Sequence, residues 1–300
     1  MEPGQTKVME PVLSSDLPRG PGYTYQVKWD GVRMLAFISQ GSVILQNKKG
    51  NLKTRSFPEL NCLAGLAGQP LVLDGELVVI CRGRADFPQI LRRNFARDPW
   101  PGAPAVSYVV FDLLCLAGQD LRFRSLGFRQ EALAGLGLPQ GPATLIDDFS
   151  DGEGLYALTK EKGWEGVVAK DLASPYRPGK SPSWLKIKNR RRDSFWVVGY
   201  VSRQGRLASL LLGFDFGQGI RFAGGVGSGL GKKGLYLLDQ SLPMLALAIP
   251  PFPPAKIKGA TWIKPVIEAQ VEYMEWTEGL TLRAPVLKSL TLEGKEIAIH

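Results

Sequence analysis

Histidine is almost missing from this chain: 300 residues hold one, and it is the last, His300. A Ser-His-Asp triad or a zinc site with imidazole ligands therefore has next to nothing to be built from. Cysteine is scarce as well. Cys62, Cys81 and Cys115 have no metal spacing and cannot all pair. They read as reduced thiols, mostly in a core, of a cytoplasmic protein. No apolar run reaches transmembrane length and no secretory signal is read, since Met1-Glu2-Pro3-Gly4-Gln5 is polar; no membrane association is expected. Heptads and solenoid repeats are missing too. What remains is a chain that is 44% hydrophobic and long enough for two domains with cores of their own.

Charge is not scarce. The formal net charge is +9. Residues 1–189 hold 23 Lys and Arg against 19 Asp and Glu, whereas residues 190–300 hold 14 against 9. The shorter segment is thus the more basic per residue, which suits a polyanionic partner such as nucleic acid. A basic surface that only keeps the chain soluble has the same composition.

Tyr23, Tyr25, Val27 and Trp29 alternate with Thr24, Gln26, Lys28 and Asp30, a period of two that predicts a strand. Short strands follow at 34–38 and 43–46 around the turn Gln40-Gly41-Ser42. Residues 71–80 read as an apolar strand pair broken by Asp74-Gly75, and Ser107–Leu116 as one continuous strand. Helices are expected at 59–66, 124–135 and Gly152–Lys162. A boundary falls near Asn189-Arg190-Arg191-Arg192-Asp193, giving domains 1–189 and 190–300. The second has strands at 195–200, 209–214, Ile220–Val226, 269–276 and 280–283, one helix at Lys232–Ser241, and a loop at the proline cluster 250–254. About five short strands with one helix between them is the pattern of an oligonucleotide/oligosaccharide-binding (OB) barrel. A small β-barrel with no nucleic-acid role shares it.

Some polar groups interrupt apolar runs where they would be costly without a task. A free lysine is protonated at neutral pH. Lys28 attacks nothing unless burial or neighbouring cations, such as Lys186 and Lys188, make it neutral. Strand parity puts Gln26 and Lys28 on one face and Val27 and Trp29 on the other. Taken alone, Lys28-Trp29-Asp30-Gly31 equally suits a hairpin end. In Leu73-Asp74-Gly75-Glu76-Leu77 two acids lie inside an apolar run, suiting a metal, a pairing or a tight turn. Glu165 precedes Val167-Val168 and Lys170 follows them. Phe111 is either core or a stacking platform. In Trp184-Leu185-Lys186-Ile187-Lys188 the alternation puts both lysines on one face, suited to a phosphate or to solvent.

In this order and spacing, these segments resemble the ATP-dependent DNA ligases of the covalent nucleotidyltransferase superfamily. The resemblance runs from about Met9-Glu10-Pro11 to about Leu290. Asn47-Lys48-Lys49-Gly50, followed by Phe57-Pro58-Glu59-Leu60, is similar to the family's second motif, with Lys48 in place of the usual arginine and its bidentate contact. The layout resembles the bacterial ligase module of non-homologous end joining; no polymerase or nuclease module is read. The resemblance implies an α+β adenylation (nucleotidyltransferase) domain on antiparallel sheets over 1–189. It implies an all-β OB-fold DNA-binding domain over 190–300.

The resemblance also implies cofactors and roles. ATP and a divalent metal, Mg or Mn, take part. Lys28 attacks the α-phosphorus and carries AMP. Gln26 lies at the adenine edge, Phe111 stacks on the base and Val168 takes its other face. Arg33 and Glu76 hold ribose and later the DNA end; Lys48 and Lys170 belong to the nucleotide pocket. Glu165 and Glu76 place the metal, and Lys186 and Lys188 neutralise the α-phosphate. Positioning and charge neutralisation are what such a transfer needs. Arg190, Arg191 and Arg192 form a hinge that contacts DNA. Expected partners are nicked or broken double-stranded DNA and a Ku-like end-binding protein, for a monomer that is cytoplasmic and nucleoid-associated. Two rivals stay open. One is an RNA ligase or RNA-capping guanylyltransferase. The other is a nucleic-acid-binding protein with a decayed active site. Leu282 to Leu290 matches the opening of the family's last motif, but Thr291-Leu292-Glu293-Gly294-Lys295 matches poorly, leaving Lys288 or Lys295 to orient pyrophosphate.

Overall fold

Alternating and continuous apolar runs sort into sheets with one or both faces covered. In the computed structural model, residues 1–297 are described apart from 67, 139–140, 218, 230, 250–256, 278 and 293. The proline cluster 250–254, Glu293 and His300 therefore lie outside the described residues. Two compact units, Met1–Asn189 and Arg190–His300, are present.

The first unit holds two main sheets. One orders the strands Met9–Leu13, Gly179–Lys188, Gly166–Asp171 and Tyr23–Val27; the other orders Ala143–Leu145, Ser107–Leu116, Leu71–Val78, Val32–Ser39 and Ser42–Asn47. The pairings are antiparallel, as expected, except at one edge of each sheet. Met9–Leu13 runs parallel to Gly179–Lys188, and Ala143–Leu145 parallel to Ser107–Leu116. Those edge strands join partners distant in sequence, so no hairpin dictates their direction.

The second of these sheets is buried on both faces. Met34, Ala36 and Ile38 pack with Phe57, Leu63, Ile90 and Leu133 on one side. Leu35 and Phe37 pack with Val109, Phe111, Tyr176 and Trp184 on the other. Double burial explains why Leu71–Val78 and Ser107–Leu116 read as nearly unbroken apolar runs. The first sheet backs onto the helix Gly152–Lys162 through Tyr25, Leu155, Val167, Ala169 and Ile187. Its other face looks toward the second sheet, and the pocket described below lies there.

Three expectations change. Asp74-Gly75 does not break its strand: Leu71–Val78 is continuous. Gly75 serves packing, because a Cβ there would lie 2.6 Å from the Tyr108 ring and from the Val109 carbonyl oxygen. Residues 58–66 wind as a 3₁₀ helix. A further helix, not among those expected although Phe87, Ile90, Leu91 and Phe95 have helical spacing, spans Phe87–Phe95, capped by Asp86, whose side chain accepts from the Gln89 amide, with proline in its first turn.

The second unit is one antiparallel ladder: Ile220–Val226, Arg206–Asp215, Arg191–Arg203, Ala260–Tyr273, Val286–Leu292 and Lys295–Ile297. Register shifts at Val197/Gly199, Leu212/Gly213 and Gln270/Val271 bend it. Phe195, Phe214, Phe216, Tyr273 and Trp276 cluster with ring centroids 5.1–6.0 Å apart. This is an OB-type sheet, although among the described residues no pairing closes Ile220–Val226 onto Lys295–Ile297. The expected linker Arg190–Arg192 is mostly strand, since Arg191 and Arg192 pair with Tyr273 and Glu272. Among the described residues no helix is long and apolar enough to cross a membrane.

Asp112 and Arg129 form a fully buried pair, with Nε 2.7 Å from Oδ1 and Nη2 2.8 Å from Oδ2. Breaking such a pair strands a charge in the core. Asp112→Ala is expected to lower stability by about 3–5 kcal/mol in urea unfolding, and the double replacement Asp112→Leu/Arg129→Met by clearly less.

Candidate active site

The site begins as the face of a three-stranded ladder. Pairing sets Thr24, Lys170 and Trp184 in one row, and Gln26, Val168 and Lys186 in the next. The strand ends at Val27, short of the expected Asp30, but the Lys28 amide still donates to the Gly166 carbonyl at 2.9 Å, and Gly166 pairs with Lys188. Lys28, Gly166 and Lys188 thus make a third row. Alternate residues share a face and rows lie about 7 Å apart, so the three rows span roughly the length of a nucleotide. Gly166 is required for this crossing. Its φ is 142°, and a Cβ would lie 2.0 Å from the Ile187 carbonyl oxygen.

Glu165 ties the third row together. Its Oε2 lies 2.7 Å from Lys28 Nζ and its Oε1 2.9 Å from Lys188 Nζ. The Glu165 and Lys188 side chains are 3% exposed, so the charges are desolvated and each depends on the others. Burial pushes Lys28 down, but the attraction of and hydrogen bond to Glu165 outweigh it, and its pKa stands above the ordinary lysine value. Burial likewise pushes Glu165 up, and the two lysines outweigh that and hold it low. The expectation that the surroundings make Lys28 neutral is corrected. An anion, not only cations, is its nearest neighbour, and at rest it is an ammonium.

Arg33 is held from below. Nε and Nη2 bind the two Asp74 oxygens, and Nη2 also donates to the Met9 carbonyl at 3.2 Å. Tyr176 Oη donates to Asp74 Oδ2 at 2.6 Å. The guanidinium carbon lies 4.4 Å from the Phe111 ring centroid. Lys170 Nζ lies 4.3 Å from the same centroid and 4.1 Å from that of Trp184. Phe111 therefore meets two cations and is itself buried. Lys170 is 2% exposed and its Nζ has no hydrogen-bond partner. Burial brings its pKa down to about 7, against an upward pull from Asp112.

One pocket is lined by Gln26, Lys28, Arg33, Lys48, Glu76, Phe111, Val168, Lys170 and Lys186, with Glu165 and Lys188 joined to Lys28. Lys48 Nζ lies 2.6 Å from Glu10 Oε2. Burial raises the Glu76 pKa to about 8, with Arg33 and Lys28 only partly opposing. No group of three or more metal-ligating side chains occurs among the described residues. Two carboxylates at a phosphate-sized pocket fit a magnesium-like cation that completes its shell with phosphate and water, not a closed protein cage. Glu10, Trp29 and Trp184 also line the pocket and Asp148 adjoins it through Gln26, none of them an expected site residue. Asp148 accepts from Gln26, and no spacing in Ile146-Asp147-Asp148-Phe149 signals it.

In the second unit Arg190, Arg192 and Lys288 gather around Glu272, at 3.2, 3.6 and 3.5 Å. Arg190 and Arg192 keep more than half of their side-chain surface exposed.

Residues 13–188 match the ATP dependent DNA ligase domain family, and residues 203–291 the ATP dependent DNA ligase C terminal region. The multifunctional non-homologous end joining DNA repair protein LigD of Mycobacterium tuberculosis is 34% identical over 286 residues, covering 91% of this chain and 36% of that protein. The Pseudomonas aeruginosa LigD is 36% identical over 291 residues, 91% of this chain and 34% of its own. This chain thus spans about a third of the length of these relatives. Among solved structures, mycobacterial DNA ligase D complexed with ATP and MES superposes with a TM-score of 0.62 at 32% identity, covering 99% of this chain and 98% of the other. The ligase domain of M. tuberculosis LigD gives 0.58 at 32% identity, with 97% and 96% covered.

Lys170 has a signature in the pH dependence of stability. Its folded pKa, about 7, lies below that of an unfolded lysine. Between about pH 7 and pH 10 the unfolded chain binds more protons, so this group destabilises the fold most at and below pH 7 and less as pH rises. Lys170→Met is expected to gain stability relative to the parent near pH 7, and the gap should narrow by pH 10 in parallel urea titrations.

Proposed function

The chain belongs to the ATP-dependent DNA ligases, and we propose that it seals breaks in double-stranded DNA through an AMP carried on Lys28. The observation that supports this most is the join of Lys28, Glu165 and Lys188 at the end of a pocket lined by Gln26, Val168 and Lys186. An amine nucleophile, a proton acceptor and phosphate-binding cations meet in one row.

In this reading ATP enters with its base toward the Thr24–Lys170–Trp184 row and its α-phosphate at the Lys28–Lys188 row. Glu165 Oε2, already 2.7 Å from Lys28 Nζ, takes the proton that the ammonium must lose. The amine then bonds to the α-phosphorus as the bond to the β-phosphate oxygen breaks, and pyrophosphate leaves carrying the second proton that the nitrogen gives up. Lys186 and Lys188 offset charge on the α-phosphate. Glu76 and Glu165 would hold a divalent metal, which when bound would offset phosphate charge. AMP next passes to a DNA 5′-phosphate, and a 3′-hydroxyl displaces it as the strand closes. The resting ammonium keeps Lys28 inert until a substrate redistributes the charge around Glu165.

The second unit is proposed to bind DNA phosphates through Arg190, Arg191 and Arg192. The exposure of Arg190 and Arg192 and the gathering of Lys288 beside them support this. The relatives named for non-homologous end joining support a task at broken ends; a Ku-like partner, a monomeric state and a cytoplasmic, nucleoid-associated location belong to the proposal alone. Of the rivals, a decayed site fits poorly with a pocket that gathers Lys28, Glu165, Lys186 and Lys188.

Incubation with ATP and magnesium should add one AMP, mapped by mass spectrometry to Lys28, and Lys28→Ala should abolish it. Label taken from GTP alone would replace this reading by a capping guanylyltransferase. Nicked-DNA affinity should fall steeply with salt. Arg190→Ala and Arg192→Ala should each reduce the slope of log K against log salt by about 1; an unchanged slope removes them from the DNA footprint.

A further inference from the structure

Gln26 is 1% exposed and lines the pocket. Its Nε2 donates to Asp148 Oδ1 at 2.9 Å. The same oxygen accepts from Thr24 Oγ1 at 2.8 Å and from Gln130 Nε2 at 2.8 Å. Thr24 and Gln26 belong to the strand Tyr23–Val27, Gln130 to the helix Leu126–Ala134, and Asp148 to the segment before the helix Gly152–Lys162. Three elements thus converge on one carboxylate oxygen. Turned about, the Gln26 amide would set oxygen against oxygen at that distance, losing a hydrogen bond and adding repulsion. Among the described residues the amide oxygen takes no donor, and it is not one of the sealed, unpartnered polar atoms. It stands free for something in the pocket.

We infer that Asp148 is a positioning residue that fixes the Gln26 amide with its oxygen toward the base subsite, so that the site selects a 6-amino purine over a 6-oxo purine. This rests on the ligase reading above. An exocyclic amine donates to that oxygen; the carbonyl of guanine in the same place repels it. A free glutamine side chain is indifferent, because it offers an amine or a carbonyl by turning over. The discrimination lies in the carboxylate that stops the turn. Gln26 reads the base, and Asp148, which does not touch it, makes the reading single-valued.

The test compares kcat/KM for lysyl-nucleotide formation from ATP and from GTP. The parent should favour ATP. Asp148→Asn, which can accept from or donate to Gln26, should lower the ATP:GTP ratio about tenfold, the scale of one hydrogen bond exchanged for a repulsion. Asp148→Ser carries the same expectation and serves if Asp148→Asn fails to fold. Gln26→Glu in the Asp148→Asn background should restore the preference, because a carboxylate offers only acceptors whichever way it turns. An unchanged ratio in Asp148→Asn and Asp148→Ser, or no restoration by Gln26→Glu, overturns the proposal. Equilibrium binding of ATP and GTP to Lys28→Ala, with and without Asp148→Asn, reads the same ratio without covalent chemistry. A parent that binds ATP selectively through Asp148 yet forms no adduct would count against ligase chemistry and in favour of the lock.

Discussion

One buried carboxylate between two ammonium groups is the interaction on which the proposed chemistry depends. Glu165 bridges Lys28 and Lys188, so the cluster carries one positive charge in excess, and removing Glu165 would leave two ammonium groups facing each other with no counter-charge. Such a cluster is poor as a source of stability; its worth is in position. It holds the proposed nucleophile in its protonated form directly beside the proposed base. It also places a second cation within reach of whatever anion arrives.

That arrangement depends on backbone geometry that looks unrelated to chemistry. Gly166 crosses against the Ile187 carbonyl in a conformation closed to other residues, and the crossing brings Glu165 under the ladder whose face carries Gln26, Lys28, Lys186 and Lys188. The opposite face of the ladder is ordinary core packed on a helix. One alternation along three strands thus supplies both a hydrophobic face and a polar face. The second sheet, buried on both sides, is the rigid wall that carries Arg33, Glu76 and Phe111.

The pocket's charge is poised rather than settled. Burial brings Glu76 up to about 8 and Lys170 down to about 7, so both lie near neutrality where an incoming phosphate or cation can shift them. Lys28 and Glu165 are driven the other way, into an ion pair. Like residue types take opposite states around one pocket because one pair has a partner of opposite charge in contact and the other does not. Phe111 shows the same principle in packing: its ring lies beside Arg33 and Lys170 and takes its place through cation–π contacts as much as through apolar burial.

Much was legible in the chain itself. The period-two alternation around Lys28 and the doubled lysines after Trp184 are local signals, and strand parity alone puts Gln26 with Lys28 and Lys186 with Lys188. Those features follow from covalent geometry, which every strand obeys. What the tertiary structure decided was contact between segments far apart in sequence. That Glu165 neutralises Lys28 rather than leaving it a bare amine is a fact of distance, not of spacing. So are the continuity of the strand through Asp74-Gly75, where Arg33 supplies the partner for a buried acid, and the meeting of Asp148 with Gln26. Ionisation and orientation are set by whichever group lies within about 3 Å, and only the folded chain determines which group that is.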